Sequence, residues 1–177
     1  MLNSSVLSSI IGDQRLTELI GEDDIKKRII DIAADISKEY KGRIPIVIGV
    51  LNGSFLFLAD IVRKLDVEFE VDFIKISSNG SSKTSSGTVR LLKDISADIT
   101  GRDIILIEDI VDTGLSLKFL KKRFEEAEPS SLTFVTLLHK EHTSKIDFKI
   151  DYIGFEIGDE FVVGYGLDYE QKLSLIH

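Results

Sequence analysis

No cysteine occurs anywhere in the chain. Disulfides and thiolate metal sites are therefore excluded, and a cytoplasmic address is expected. Nor does any apolar run approach the roughly 20 residues that a membrane-spanning helix needs. The opening stretch MLNSSVLSSIIGDQ has no basic segment and no small-residue cleavage site, so no secretory signal is expected there. Positive charge is short as well: 22 Lys and Arg stand against 30 Asp and Glu, a net charge of −8. Nucleic-acid backbones are gripped by clustered Lys and Arg, so neither nucleic acid nor a membrane surface is an expected partner. Small phosphorylated ligands stay open, because backbone N–H groups and metal ions can hold them without a basic surface.

What is present suits one globular domain of 177 residues, with 43% hydrophobic and 29% charged residues. GEDDIKKRIIDIAADISKEYKG reads as a helix: Ile25, Ile29, Ile32, Ile36 and Tyr40 share a face, acids fill the first turn and Gly42 follows the end. IPIVIGVL (44–51) is a continuous apolar run, the pattern of a strand covered on both faces. After the break at NGS, FLFLADIVRKL reads as the returning helix and VEFEVDFIKIS (67–77) as the next strand. Residues 77–88, SSNGSSKTSSGT, hold nothing to bury and read as a mobile loop before a strand at TVRLL (88–92). A loop this long inside a compact domain is often a lid. RDIILIED is then a strand and SLKFLKKRFEEAE a helix with Leu117, Leu120 and Phe124 facing inward. SLTFVTLLHK is a further strand, and DYIGFEIGDEFVVGYGLDYEQ reads as two short strands about a Gly-Asp turn. The alternation predicts an α/β fold whose mainly parallel sheet is flanked by helices, with ligands at the carboxyl ends of its strands.

The chemistry concentrates in IILIEDIVDTG (104–114). An aliphatic strand runs into Glu108 and Asp109, and Asp112 precedes Thr113 and Gly114. The next helix starts near Leu115 or Ser116, so its unpaired N–H groups and dipole favour an anion. Thr113 and Ser116 add hydroxyl donors, and Gly114 lets the backbone curl close. The stretch lacks the spacing and lysine of a Walker loop. Carboxylates beside a phosphate cradle need something between them, either sugar hydroxyls or a divalent cation. A sugar phosphate satisfies both: phosphate over 113–116, hydroxyls on Glu108 and Asp109.

ILIEDIVDTGLS resembles the ribose-phosphate motif of type I phosphoribosyltransferases. The resemblance extends through most of the chain to the hypoxanthine-guanine phosphoribosyltransferases. VLNGS is similar to their pyrophosphate loop, SSNGSSKTSSG to their flexible catalytic loop, and LLHK and GFEIGDEFVVGYGLDY to their purine-binding strands. It implies the type I fold over 1–177, with a small hood built from the terminal segments, mainly 140–177, and a flexible loop at 77–88. It implies transfer of phosphoribose from phosphoribosyl pyrophosphate to a 6-oxopurine with Mg²⁺, in a homodimer or homotetramer that could use NGSFLFLADIV as a contact helix. Asp112 would be general acid or base. Glu108, Asp109, Asp112, Thr113, Gly114, Leu115 and Ser116 would bind ribose phosphate. Lys140 would donate to the exocyclic oxygen, Phe161 would stack on the ring, and Val162 would offer backbone groups, with Ile110 and Asp168 also on the purine side. Leu51, Asn52 and Gly53 would hold pyrophosphate, and Ser78 and Asn79 would belong to the lid. Glu108, Asp109 and Asp168 would serve Mg²⁺.

Four positions depart from that pattern: Asn52 and Leu115 replace basic residues, Asn79 replaces a lid tyrosine, and Ser174 stands where an arginine is expected. All four weaken contacts to pyrophosphate or lid, so an active enzyme with poor affinity for phosphoribosyl pyrophosphate is expected. A second reading is a regulatory protein that uses the same fold to sense a nucleotide or phosphoribosyl pyrophosphate and controls RNA or DNA. Asp112, Lys140 and the acidic charge favour the enzyme. His139 and His142 have a spacing loosely suited to a metal, but no third ligand accompanies them.

Overall fold

The computed structural model describes residues 17–78, 89–169 and 172–173. The first helix, α1 (Glu22–Glu39), begins with Glu22, Asp23 and Asp24 at its positive end and ends before Gly42, whose φ of 78° few other residues tolerate. Its buried stripe is Ile29, Ile32, Ala33 and Ile36, with Tyr40 wholly buried just beyond. There follow β1 (Ile46–Leu51), α2 (Phe55–Val62), β2 (Glu70–Ser78), β3 (Val89–Lys93), β4 (Asp103–Val111), α3 (Leu115–Glu125), β5 (Ser131–Lys140) and β6 (Tyr152–Ile157).

Six strands form one sheet in the order β3-β2-β1-β4-β5-β6, parallel except for the β2–β3 pair. Both faces are covered, which is why β1 and β4 are apolar without alternation. Ile105, Ile107 and Val135 face α1 and α2; Ile104, Leu106 and Phe134 face Leu117, Leu120 and Phe124 of α3. Phe57, Leu58 and Ile61 of α2 are buried in the chain's own core, so the apolar face of the predicted contact helix is already covered.

Strand order reverses between β1 and β4: β2 lies beyond one, β5 and β6 beyond the other. At such a switch point the loops leaving the two strands splay apart and open a crevice at the carboxyl edge. Here those loops are Asn52–Ser54 and the turn from Asp112 to Gly114.

Two expectations need correction. β4 runs to Val111, paired with His139, so Glu108 and Asp109 lie inside the strand rather than at its end. Only the first of the two strands about the Gly-Asp turn forms. Residues 161–163 are neither helix nor strand, Gly164 makes a single bridge to Leu167, and Asp168–Tyr169 (β7) pairs with Lys172–Leu173 (β8). Successive positive φ values at Gly164 (112°), Tyr165 (47°) and Gly166 (91°) bend the chain out of any strand. The N-terminal part of the expected hood, Asn79 and most of the lid loop, and Ser174 lie outside the described residues.

Candidate active site

Three of the motif blocks meet at the switch point. From β1, Leu51, Asn52 and Gly53 form the turn into α2, with the Leu51–Asn52 peptide in cis. Ser54 caps that helix, and its buried hydroxyl donates to the Val50 carbonyl at 2.6 Å. From β4 comes Asp109, whose carboxylate lies directly against Gly53: a Cβ built there would sit 1.8 Å from Asp109 Oδ2. Any side chain at position 53 would displace the acid.

Glu108 is buried beside it. Burial pushes its carboxyl well above the usual carboxylate range, and the neighbouring Asp109 charge adds to that push. Ile110, partly buried, packs on the core between the two acids and Asp112.

The turn into α3 has the expected form. Gly114, with a φ of 80°, is the residue before α3, and Leu115 opens that helix. Asp112 and Thr113 are exposed, Ser116 is half-buried, and Leu115 is 44% exposed. The turn is braced from outside the motif: Lys145 donates its backbone N–H to the Thr113 carbonyl at 3.1 Å, and a Cβ on Gly114 would meet Ile146 Cγ2 at 2.4 Å. No motif in the sequence signals that brace, because it depends on how the turn after β5 folds back.

Lys140 ends β5 with only 9% exposure, and its Nζ lies 3.3 Å from Asp112 Oδ2. Lysine is rarely buried without a partner, so the contact explains how the chain tolerates this ammonium. Phe161 is 69% exposed and thus no part of the core, and Val162 is partly buried against it. The backbone of Asp168 starts β7. Ser78 closes β2, at the near end of the segment expected to form a lid. His139 Nδ1 stands 2.9 Å from Glu156 Oε2, and among the described residues no group of three or more His, Cys, Asp or Glu could hold a metal.

Comparison with known proteins decides the family. Residues 18–170 match the phosphoribosyl transferase domain. The chain is 44% identical over 154 residues to a hypoxanthine-guanine phosphoribosyltransferase of Bacillus subtilis, covering 87% of this chain and 86% of that one. The chain belongs to the hypoxanthine-guanine phosphoribosyltransferase family. Its fold superposes on a hypoxanthine-guanine phosphoribosyltransferase from Bacillus anthracis with a TM-score of 0.86 at 41% identity, covering 92% and 96% of the two chains. It likewise matches the Trypanosoma cruzi hypoxanthine phosphoribosyltransferase in complex with its product IMP, at a TM-score of 0.81 and 38% identity over 92% and 94%. The six-stranded sheet is thus the type I phosphoribosyltransferase fold, and the chain is an enzyme. No helix among its described residues is long and apolar enough to cross a membrane.

The donor set of this phosphoribosyltransferase suits a divalent cation that arrives with substrate. Mg²⁺ keeps several waters and is typically bound by one or two carboxylates plus phosphate oxygens, rather than by an all-protein cage. Glu108 and Asp109, consecutive on β4, are the two carboxylates there that could serve such an ion, the Asp109 charge adding to the upward push on Glu108.

Proposed function

We propose that this phosphoribosyltransferase moves the 5-phosphoribosyl group of phosphoribosyl pyrophosphate onto a 6-oxopurine, hypoxanthine and also guanine, releasing pyrophosphate and IMP or GMP in purine salvage. The contact that supports this most directly is Lys140 to Asp112 at 3.3 Å. An ammonium and a carboxylate side by side suit the two polar edges of a 6-oxopurine. Lys140 donates to the exocyclic oxygen, and Asp112 accepts a proton from an imidazole nitrogen. Adenine carries an amine at that edge, and an ammonium has no acceptor to offer it.

In the reaction the anomeric carbon loses the pyrophosphate oxygen and gains the purine nitrogen, while that nitrogen's proton passes to Asp112. Positive charge grows on the ribose as the first bond breaks, and the Asp109 carboxylate stabilises that charge, with Glu108 binding a ribose hydroxyl. Thr113, Gly114, Leu115 and Ser116 take the 5′-phosphate through backbone N–H groups and two hydroxyls. Leu51, Asn52 and Gly53 take pyrophosphate largely through backbone. Ile110, Phe161, Val162 and Asp168 line the purine side. Glu108, Asp109 and Asp168 would hold Mg²⁺, which when bound neutralises the departing pyrophosphate. With Asn52 and Leu115 in place of basic residues, phosphoribosyl pyrophosphate binds weakly for the family. A cytoplasmic location and a homodimeric or homotetrameric assembly accompany this reading.

The test is a spectrophotometric assay with phosphoribosyl pyrophosphate and Mg²⁺, offering hypoxanthine, guanine, xanthine and adenine in turn. Turnover is expected with hypoxanthine and guanine, not adenine, and Asp112→Asn should lower kcat by about 10²- to 10⁴-fold. An inert wild-type protein that still binds nucleotide would sink the proposal in favour of a regulatory role, which no observation now favours.

A further inference from the structure

The purine-side segment and the pyrophosphate loop are far apart in sequence, yet they are fastened together. Residues 161–163 have no regular structure, and the turn that follows strings together three positive-φ residues, one of them Tyr165 at 47°. A bulky residue in the left-handed region persists only where its surroundings hold it there. The Tyr165 ring packs, partly buried, on the core beneath α1 and α2, and its hydroxyl donates to Asp60 Oδ2 on α2. Arg63, just past the end of α2, takes the other oxygen of the same carboxylate. Burial, with the Asp60 hydrogen bond and charge, pushes the phenol far above its usual range, so it stays a donor at physiological pH.

One residue on, the backbone itself makes contact. A Cβ on Gly166 would stand 2.8 Å from the Gly53 carbonyl, and Leu167 beyond it is buried. The helix that carries Asp60 starts at the pyrophosphate loop, where Ser54 fixes its first turn to β1 through the Val50 carbonyl at 2.6 Å. Asp60 therefore moves with that loop, and whatever is tied to Asp60 is held at a set distance from it.

We propose that Tyr165 and Asp60 form a latch that positions the purine-side segment 161–168 against the pyrophosphate loop 51–54, so that base and phosphoribosyl donor meet in register. The inference rests on the purine-salvage reading above. Neither residue touches substrate; both are positioning residues acting through the backbone of Phe161, Val162 and Asp168. A misplacement of about 1 Å away from the chemistry can cost 10²-fold in rate, and a single directional hydrogen bond to an ionised acceptor is a device of that precision.

The variants are Tyr165→Phe, which keeps the ring and removes one hydroxyl, Asp60→Ala, which removes the acceptor, and Asp60→Asn, which keeps an acceptor oxygen. Steady-state assays on the full chain give kcat and separate KM values for hypoxanthine and phosphoribosyl pyrophosphate, and thermal melts run alongside. Tyr165→Phe and Asp60→Ala should each raise the hypoxanthine KM roughly tenfold, with kcat at saturation much less affected. The double variant should be no worse than either single one, and Asp60→Asn should recover most of the loss. A hypoxanthine KM for Tyr165→Phe within twofold of wild type, additive effects in the double variant, or a lowered melting temperature with unchanged KM would each overturn the latch. Wild-type turnover measured first separates the failures: its absence defeats the purine-salvage reading and the latch with it, whereas normal turnover with an indifferent Tyr165→Phe defeats the latch alone.

Discussion

Lys140 combines a long, charged side chain with 9% exposure, and the carboxylate 3.3 Å away is what makes that burial tolerable. Its replacement by methionine keeps length and apolar stem and deletes the donor that a 6-oxopurine carbonyl would use. Lys140→Met should lower kcat/KM for hypoxanthine by about 10²-fold while leaving any residual rate with adenine unchanged, because a lost hydrogen bond penalises only the base that made it. Paired assays with the two bases check this. An equal fall with both would assign Lys140 to folding instead. Gly53 is the other residue whose environment sets its identity: a methyl group there would overlap the Asp109 carboxylate at 1.8 Å. Gly53→Ala should therefore lower kcat/KM for phosphoribosyl pyrophosphate at least tenfold, roughly what one lost polar contact costs, with a melting temperature near that of wild type. In the sequence, Gly53 stands in the break after β1, and Asp109 is a candidate for the ribose hydroxyls. The sequence could not show that each fixes the other, because that contact exists only once β1 and β4 pair.

At the scale of elements, hydrophobic pattern was a good guide wherever burial was two-sided. The central strands β1 and β4 announced themselves as aliphatic runs, and α3 placed Leu117, Leu120 and Phe124 inward as their spacing required. The pattern failed at FVVGYGLDY, where β-rich composition suggested a strand. There Gly164, Tyr165 and Gly166 turn the chain, and Tyr165 spends its side chain on α2 rather than on a pleated neighbour. The link after β3 was also silent in sequence. Asp72, on β2, is pushed upward in pKa by burial, but the backbone N–H groups of Ala97 (2.8 Å), Phe73 (2.7 Å) and Ser96 (2.6 Å), with Lys93 nearby, outweigh that and hold the carboxyl below its usual value. A depressed carboxyl contributes stability that is present above its unfolded pKa and is lost as pH falls through its folded one. Asp72→Asn should thus cost on the order of 2 kcal/mol at pH 7. The gap between the two proteins should narrow as pH drops below the ordinary carboxylate range, as read from urea unfolding at both pH values. A gap independent of pH would mean that shape, and not charge, anchors the 94–97 turn.

Over the whole molecule, the site is a consequence of topology. Nothing in the residues of β1 or β4 says that they are neighbours; that follows from the reversal of strand order between them, which sets the Asn52–Ser54 loop beside the acidic turn. Charge, in contrast, is readable from sequence alone and applies to the entire surface. With 30 acidic and 22 basic residues, a net −8, the chain meets a polyanion with repulsion beyond any local contact, screened over about 8 Å at physiological salt. The elements proposed to hold phosphate are backbone N–H groups and hydroxyls in a crevice, suited to one phosphate monoester, whereas tracking a nucleic-acid backbone requires clustered cations. The whole protein should therefore show no saturable binding to single- or double-stranded RNA or DNA by fluorescence anisotropy at about 0.15 M salt. It should still bind IMP or GMP under the same conditions. Saturable binding to nucleic acid whose affinity falls steeply with salt would reveal a cationic surface formed only in an assembly, and would restore the regulatory reading that the crevice itself does not favour.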